Sequence, residues 1–173
     1  MRTEALLDRE LQLILRGLSE GNALVCQVCL HTGLRVSDVL ALRREQIRPN
    51  FWVTERKTGK RKQVGLPDDL RRAILSHSDG SPWAFPGLNP EKPRTRQAVW
   101  SDVHRTAKAF KIRKVCGTHS MRKTYAQDVL RDTGDLDAVR KALNHDNELI
   151  TMLYVMATQN LHKKRRPSRR KRK

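Results

Sequence analysis

The segment Asn22–His31 constrains the fold most. Leu24, Val25, Cys26, Val28, Cys29 and Leu30 set apolar side chains almost all the way round a helix, and a helix without a polar face belongs inside a domain rather than on its surface. The segment also holds Cys26-x-x-Cys29, a spacing shared with redox and zinc motifs. A structural zinc needs four ligands, and the third cysteine, Cys116, has no neighbour with which to form a second pair. His31 cannot share one helix face with both cysteines. The pair therefore reads as apolar core positions. Thr32-Gly33-Leu34-Arg35 breaks the helix, and Ser37 can cap a third helix from Asp38 to Arg43. Arg35 is thus held at a turn between a buried helix and a capped one, from which its guanidinium can point into a cleft.

Around that segment the chain alternates short elements. Thr3 to Arg16 carries Leu6, Leu7 and Ile14 near helical spacing, with Thr3 as N-cap and Gly17 as stop. Phe51 to Arg56 and Arg61 to Leu66 are β-prone and flank the turn Lys57-Thr58-Gly59-Lys60, with Pro67 closing the second strand. This predicts a hairpin whose tip presents Arg56, Lys57, Lys60, Arg61 and Lys62, able to enter a groove and touch phosphates. Asp68 to His77 is a further helix. Ser78 to Pro93 reads as a Pro- and Gly-rich loop with Trp83-Ala84-Phe85 as a short strand. Thr95 caps a helix to about Lys111, buried through Val99, Val103, Ala107 and Phe110. Arg94 and Arg96 stand at its N-terminus, where backbone N–H groups also favour a phosphate. His31, His77 and His104 have no reactive neighbours in sequence and read as structural or surface residues.

The reactive side chains gather between Thr118 and Tyr154. Ser120 to Arg131 reads as a helix. His119 and Arg122, three apart, then lie on one face, roughly 5–6 Å apart at Cβ. Met121, Tyr125 and Val129 recur on a neighbouring face that should turn inward. Asp135 is an N-cap for a second helix carrying Leu136, Val139 and Leu143, and His145 follows just past its end. Glu148 to Met156 reads as a third short helix with Tyr154 near its C-terminal end. Packed together, three short helices can bring two histidines, an arginine and a tyrosine to one point.

The Thr-Gly-Leu-Arg turn, a lysine on a hairpin, His-x-x-Arg, a second histidine and a tyrosine nine residues beyond together resemble the catalytic domain of the tyrosine recombinases, the phage-integrase family. The resemblance runs from about Asn22 to Met156 and implies a catalytic set of Arg35, Lys57, His119, Arg122, His145 and the nucleophile Tyr154. It implies a mostly helical α+β fold with a small antiparallel sheet. It also implies double-stranded DNA as partner, a homotetramer on paired sites working through a Holliday junction, and accessory DNA-bending proteins. Lys60 and Lys62 lie close enough to compete with Lys57. The family's Leu-Gly-His before the final tyrosine is Leu143-Asn144-His145 here, and asparagine accepts the left-handed conformation that such a turn needs. Many members also carry an N-terminal DNA-clamping domain, for which the 34 residues before Arg35 leave no room. A chain of this kind is expected to resemble the short, catalytic-domain-only members or an excised catalytic domain.

The chemistry fits those residue types. A tyrosine hydroxyl can attack a phosphodiester and displace a 5′-hydroxyl, keeping the bond energy in a 3′-phosphotyrosyl link. The transition state gains negative charge on the non-bridging oxygens. Arg35 and Arg122 suit a clamp for it, because guanidinium donates in a fork and stays charged. A phenol titrating near pH 10 needs a nearby base and a positive field, and His119 is the candidate base or relay. His145 would donate to a phosphate oxygen and Lys57 would protonate the leaving oxygen. Tyr125 is the only other tyrosine and reads as core. No carboxylate cluster of the two-metal kind is present, so neither metal nor other cofactor is expected.

Charge points to the same partner. The chain carries 36 Lys and Arg against 18 Asp and Glu, a net +18. From Lys163 to Lys173 nine of eleven residues are basic and none is acidic, so the remainder still carries half the net charge. Nucleic acid is the simplest partner for such a chain. The expected organisation is a catalytic domain over 1–161 and a disordered basic tail over 162–173. The expected location is cytoplasmic and nucleoid-associated, or nuclear in a eukaryotic host, where the tail could act as an import signal, with no membrane contact. The rival readings are a type IB topoisomerase-like enzyme, which shares the tyrosine chemistry, and a non-catalytic DNA-binding protein, which has no need of Tyr154 or of both histidines.

Overall fold

The computed structural model describes residues 4–144. In chain order it contains helices α1 (Asp8–Gly17), α2 (Glu20–Thr32) and α3 (Val36–Leu40), a 3-10 turn at Arg44–Gln46, strands β1 (Asn50–Thr54) and β2 (Arg61–Gly65), and helices α4 (Asp68–His77), α5 (Arg96–Ala109), α6 (Thr118–Thr133) and α7 (Leu136–Leu143). The architecture is α+β, mostly helical with one two-stranded antiparallel sheet.

Helix α2 is the hub, as its composition requires. It packs against α1, α3, α4, α5, α6 and β2, and Val25, Val28, Cys26 and Cys29 are buried in the main core. All three cysteines are free thiols. Burial pushes Cys26 well above its ordinary range and Cys29 up to about 12, so both behave as small apolar groups. A second, smaller cluster of Ala126, Val139 and Leu143 joins α6 to α7, with Tyr125, Val129 and Leu130 packed on it. Among the described residues no helix is long and apolar enough to cross a membrane.

Several boundaries differ from expectation for local reasons. Helix α1 begins at Asp8, because Glu10 accepts a hydrogen bond from the Leu7 amide at 2.8 Å and the preceding residues run along the core. There Ala5 and Leu6 are buried and the Leu6 amide donates to Thr124 Oγ1 at 3.3 Å. Thr3, expected as the cap, lies outside the described residues. Helix α3 is capped by Arg35 rather than Ser37, since the Arg35 carbonyl already accepts from the Asp38 and Val39 amides. The segment at Trp83 forms only an isolated bridge to Arg43 and does not extend the sheet. Phe110 is 43% exposed and Leu136 38% exposed, so neither belongs to a buried stripe; Phe110 follows the last turn of α5, and Leu136 opens α7 one residue after its cap. The caps at Thr95 and Asp135 hold: Thr95 accepts from the Ala98 amide, and Asp135 from those of Asp137 and Ala138. Asn144 takes the left-handed conformation at φ 55°, the turn expected where the family carries glycine.

In the hairpin, Phe51 faces Val64 and Val53 faces Lys62. Phe51, Val53 and Val64 are buried, so the inward face of this sheet includes Lys62.

Candidate active site

The site is built on the turn that ends α2. Gly33 adopts φ 65° and donates its amide to the Cys29 carbonyl. A Cβ at this position would lie 2.4 Å from the Tyr125 ring, so glycine is required twice, for backbone conformation and for space. The turn leaves the Thr32 and Gly33 carbonyls facing α6 and β2. Two residues later Arg35 opens α3, its side chain largely but not wholly buried.

Arg35 Nη1 lies 2.5 Å from Glu55 Oε2, and Thr58 Oγ1 donates to the same oxygen at 2.9 Å. Glu55 is wholly buried, with its other oxygen unpartnered among the described residues. The Arg56 amide donates to Asp38 Oδ1 at 3.0 Å. These contacts bind the hairpin loop to α3 and fix Arg35 beside it. The sequence reading missed Glu55. Its signal was an acid within a β-prone, basic segment, where only a cationic partner makes burial affordable.

Arg122 is 2% exposed. Its Nη1 donates to the Gly33 carbonyl, and its Nη2 to the Leu143 carbonyl at 2.7 Å. Arg35 and Arg122 come from distant parts of the chain, yet both are fixed on the single turn Thr32–Arg35. His119 stands one helical turn before Arg122 in the first turn of α6 and is exposed rather than buried, though the surrounding side chains still desolvate its ring in part. That desolvation, followed by the positive charges of Arg122, Lys123, Arg35 and Arg96, lowers its pKa below the ordinary histidine value. His119 is therefore a neutral imidazole at neutral pH, able to accept a proton.

The hairpin cations divide. Arg56, Lys57 and Arg61 are exposed, with Arg61 stacked over the Trp52 ring at 4.9 Å, and Lys60 is partly exposed. Lys62 departs from the expected solvent-facing tip: its Nζ donates to the Thr32 carbonyl at 2.5 Å and to the Ala142 carbonyl. Arg94 also turns inward, donating to Asn22 Oδ1 at 3.1 Å, whereas Arg96 is exposed at the start of α5. Tyr125 lies against Gly33, and its ring centroid is 5.4 Å from Lys62 Nζ. Burial raises its pKa despite the opposing charge of Arg122, which makes it a poor nucleophile. His145, Tyr154 and the helix expected over Glu148–Met156 lie outside the described residues, as does the basic tail.

Residues 5–160 match the phage integrase family. The chain belongs to that family. It is similar to the probable integrase/recombinase YoeC of Bacillus subtilis, with 27% identity over 131 residues that span 73% of this chain and 72% of that protein. It is 30% identical to the tyrosine recombinase XerD of Staphylococcus aureus over 134 residues, 71% of this chain and 45% of that one. In fold it resembles one chain of lambda integrase, from the structure of a lambda integrase tetramer bound to a Holliday junction, with TM-score 0.73 and 16% identity over 89% of this chain and 48% of that one. The chain thus spans most of the Bacillus protein but less than half of the XerD relative.

Proposed function

We propose that this chain is the catalytic core of a site-specific DNA recombinase of the tyrosine type, cutting and rejoining DNA through a 3′-phosphotyrosyl intermediate. The observation that supports this reading is the fixing of Arg35 and Arg122 on one turn, with a neutral His119 beside them. Two guanidiniums anchored on one turn concentrate positive charge there, to offset the charge that grows on a phosphate's non-bridging oxygens in the transition state. The buried Glu55 carboxylate holds Arg35 through Nη1, which fixes the side chain in place on that turn. The Tyr154 hydroxyl attacks the phosphorus and gives up its proton toward His119. Lys57 protonates the departing 5′-oxygen, and His145 donates to a phosphate oxygen. Rejoining reverses each transfer, so no external energy source is needed.

The DNA-bound tetrameric relative, together with the charge of +18, supports double-stranded DNA as partner and a homotetramer on paired sites, with accessory proteins as further components. Arg56, Lys60, Arg61 and Arg96 contact backbone phosphates, which positions the enzyme without reading sequence. The segment 162–173 adds affinity for any duplex.

A nicked suicide substrate tests the proposal. Loss of the short 5′-product traps the covalent intermediate, so wild-type protein should yield a protease-sensitive protein–DNA adduct. Tyr154→Phe removes one oxygen and should abolish the adduct while DNA affinity is kept. Wild-type binding without any adduct would favour the non-catalytic reading.

A further inference from the structure

Lys62 occupies a position that pattern alone would give to an apolar residue. It lies across from Val53 on the inward face of the hairpin, two residues from the buried Val64. Its ammonium is consumed by main chain: it donates to the last carbonyl of α2, that of Thr32, and to the Ala142 carbonyl near the end of α7. Arg122 does the same one residue further along each segment, holding the carbonyls of Gly33 and Leu143. Two cations from different elements therefore bridge the same pair of helix C-termini through consecutive carbonyls. Helix C-termini carry partial negative charge, which each cation offsets. One of these ends leads within three residues to Arg35, and the other leads within three to His145.

We propose that Lys62 is a positioning residue for strand cleavage: with Arg122 it locks the α2 turn, which leads to Arg35, to the C-terminal end of α7. The inference rests on the recombinase reading. Lys62 itself touches no DNA and transfers no proton to the leaving group. The geometry also separates it from Lys57, which stands at the exposed tip five residues earlier. Burial and the neighbouring Arg122 push the Lys62 ammonium down to about 8, against an opposing pull from Glu55, consistent with a cation committed to the interior.

The test measures single-turnover cleavage of the suicide substrate, DNA affinity and urea unfolding for wild type, Lys62→Met and Lys62→Arg. Lys62→Met should cleave on the order of 100-fold more slowly, the scale of a small misplacement of reacting groups, with DNA affinity unchanged. Lys62→Arg keeps a two-pronged donor and should restore much of the rate. A substrate with sulfur at the 5′-bridging position, which needs little protonation, should leave the Lys62→Met defect in place. Recovery on that substrate, or failure of Lys62→Arg to cleave, would make Lys62 the proton donor and overturn the proposal. Equal losses of affinity and rate would make it a DNA contact and overturn it as well. Should Lys62→Met not fold, Lys62→Arg still decides, because guanidinium can clamp carbonyls but cannot act as a general acid. Wild-type cleavage with undiminished Lys62→Met cleavage refutes the positioning role alone, whereas an inactive wild type refutes the recombinase reading beneath it.

Discussion

The buried ammonium of Lys62 makes protein stability depend on pH in a way that can be measured without DNA. A lysine that ordinarily titrates at 10.5 is held at about 8 in the folded protein. Between those two values the unfolded chain binds more protons than the folded one, so stability must rise with pH across that window. At about 1.4 kcal/mol per pH unit, the full gain is roughly 3 kcal/mol, an upper bound because part of the side chain reaches solvent. The cysteines act in the opposite sense. Cys26, Cys29 and Cys116 titrate above their ordinary value of 9.0 when folded, so the folded state keeps protons that the unfolded state sheds, and stability falls as pH rises. Wild type and Lys62→Met share those thiols, and the difference between the two proteins isolates Lys62. Urea unfolding of both between pH 8 and 10.5 should show wild type gaining on the variant steadily as pH rises. Parallel curves across that window would refute a desolvated ammonium and weaken the clamp that depends on it.

Four further outcomes follow from the same geometry. Gly33→Ala should destabilise the fold by about 2 kcal/mol or more, from a left-handed backbone with an added Cβ, and crowd the Tyr125 ring; unchanged urea unfolding would contradict the close approach. The cleavage rate should hold steady as pH falls through the ordinary histidine value, because His119 titrates below it, and should drop only at lower pH; a midpoint at or above the ordinary value would contradict a neutral, cation-flanked imidazole. Lys57→Ala should slow cleavage far more than binding and recover on a 5′-bridging sulfur substrate, while Lys60→Ala should not show this pattern. Deleting residues 163–173 should weaken binding to every sequence and flatten the slope of log affinity against log salt by up to about 8, at roughly 0.9 per phosphate neutralised; an unchanged slope would remove the tail from DNA binding.

Much of the fold was legible because single elements dictate it. The all-round apolar character of α2 demanded a central position, Thr95 and Asp135 announced two helix starts, and Asn144 announced the turn after α7. The paired spacing of His119 and Arg122 gave the face of α6 on which the site is built. What escaped were properties set by tertiary partners. Ser37 is a good cap in isolation, yet Arg35 takes that place because the turn after Gly33 already directs its carbonyl at the next amides. Glu55 and Lys62 looked like part of a solvated, charged hairpin. The alternation of Lys62 with Val64 and Leu66 did carry a signal, since period-two reading puts all three on one face. The charge of the residue outweighed its register in that reading. Its true partners, the carbonyls of Thr32 and Ala142, lie 30 and 80 residues away and are invisible to local pattern.

The central claim is that Tyr154 carries the DNA. Its most direct test is to trap the wild-type adduct on a nicked substrate, digest it with protease, and identify by mass spectrometry the peptide that bears the nucleotide. The account predicts a 3′-phosphotyrosyl link on the peptide containing Tyr154 and none on the peptide containing Tyr125. A nucleotide found on Tyr125, or a wild-type protein that binds and cuts DNA without retaining any covalent link, would contradict it.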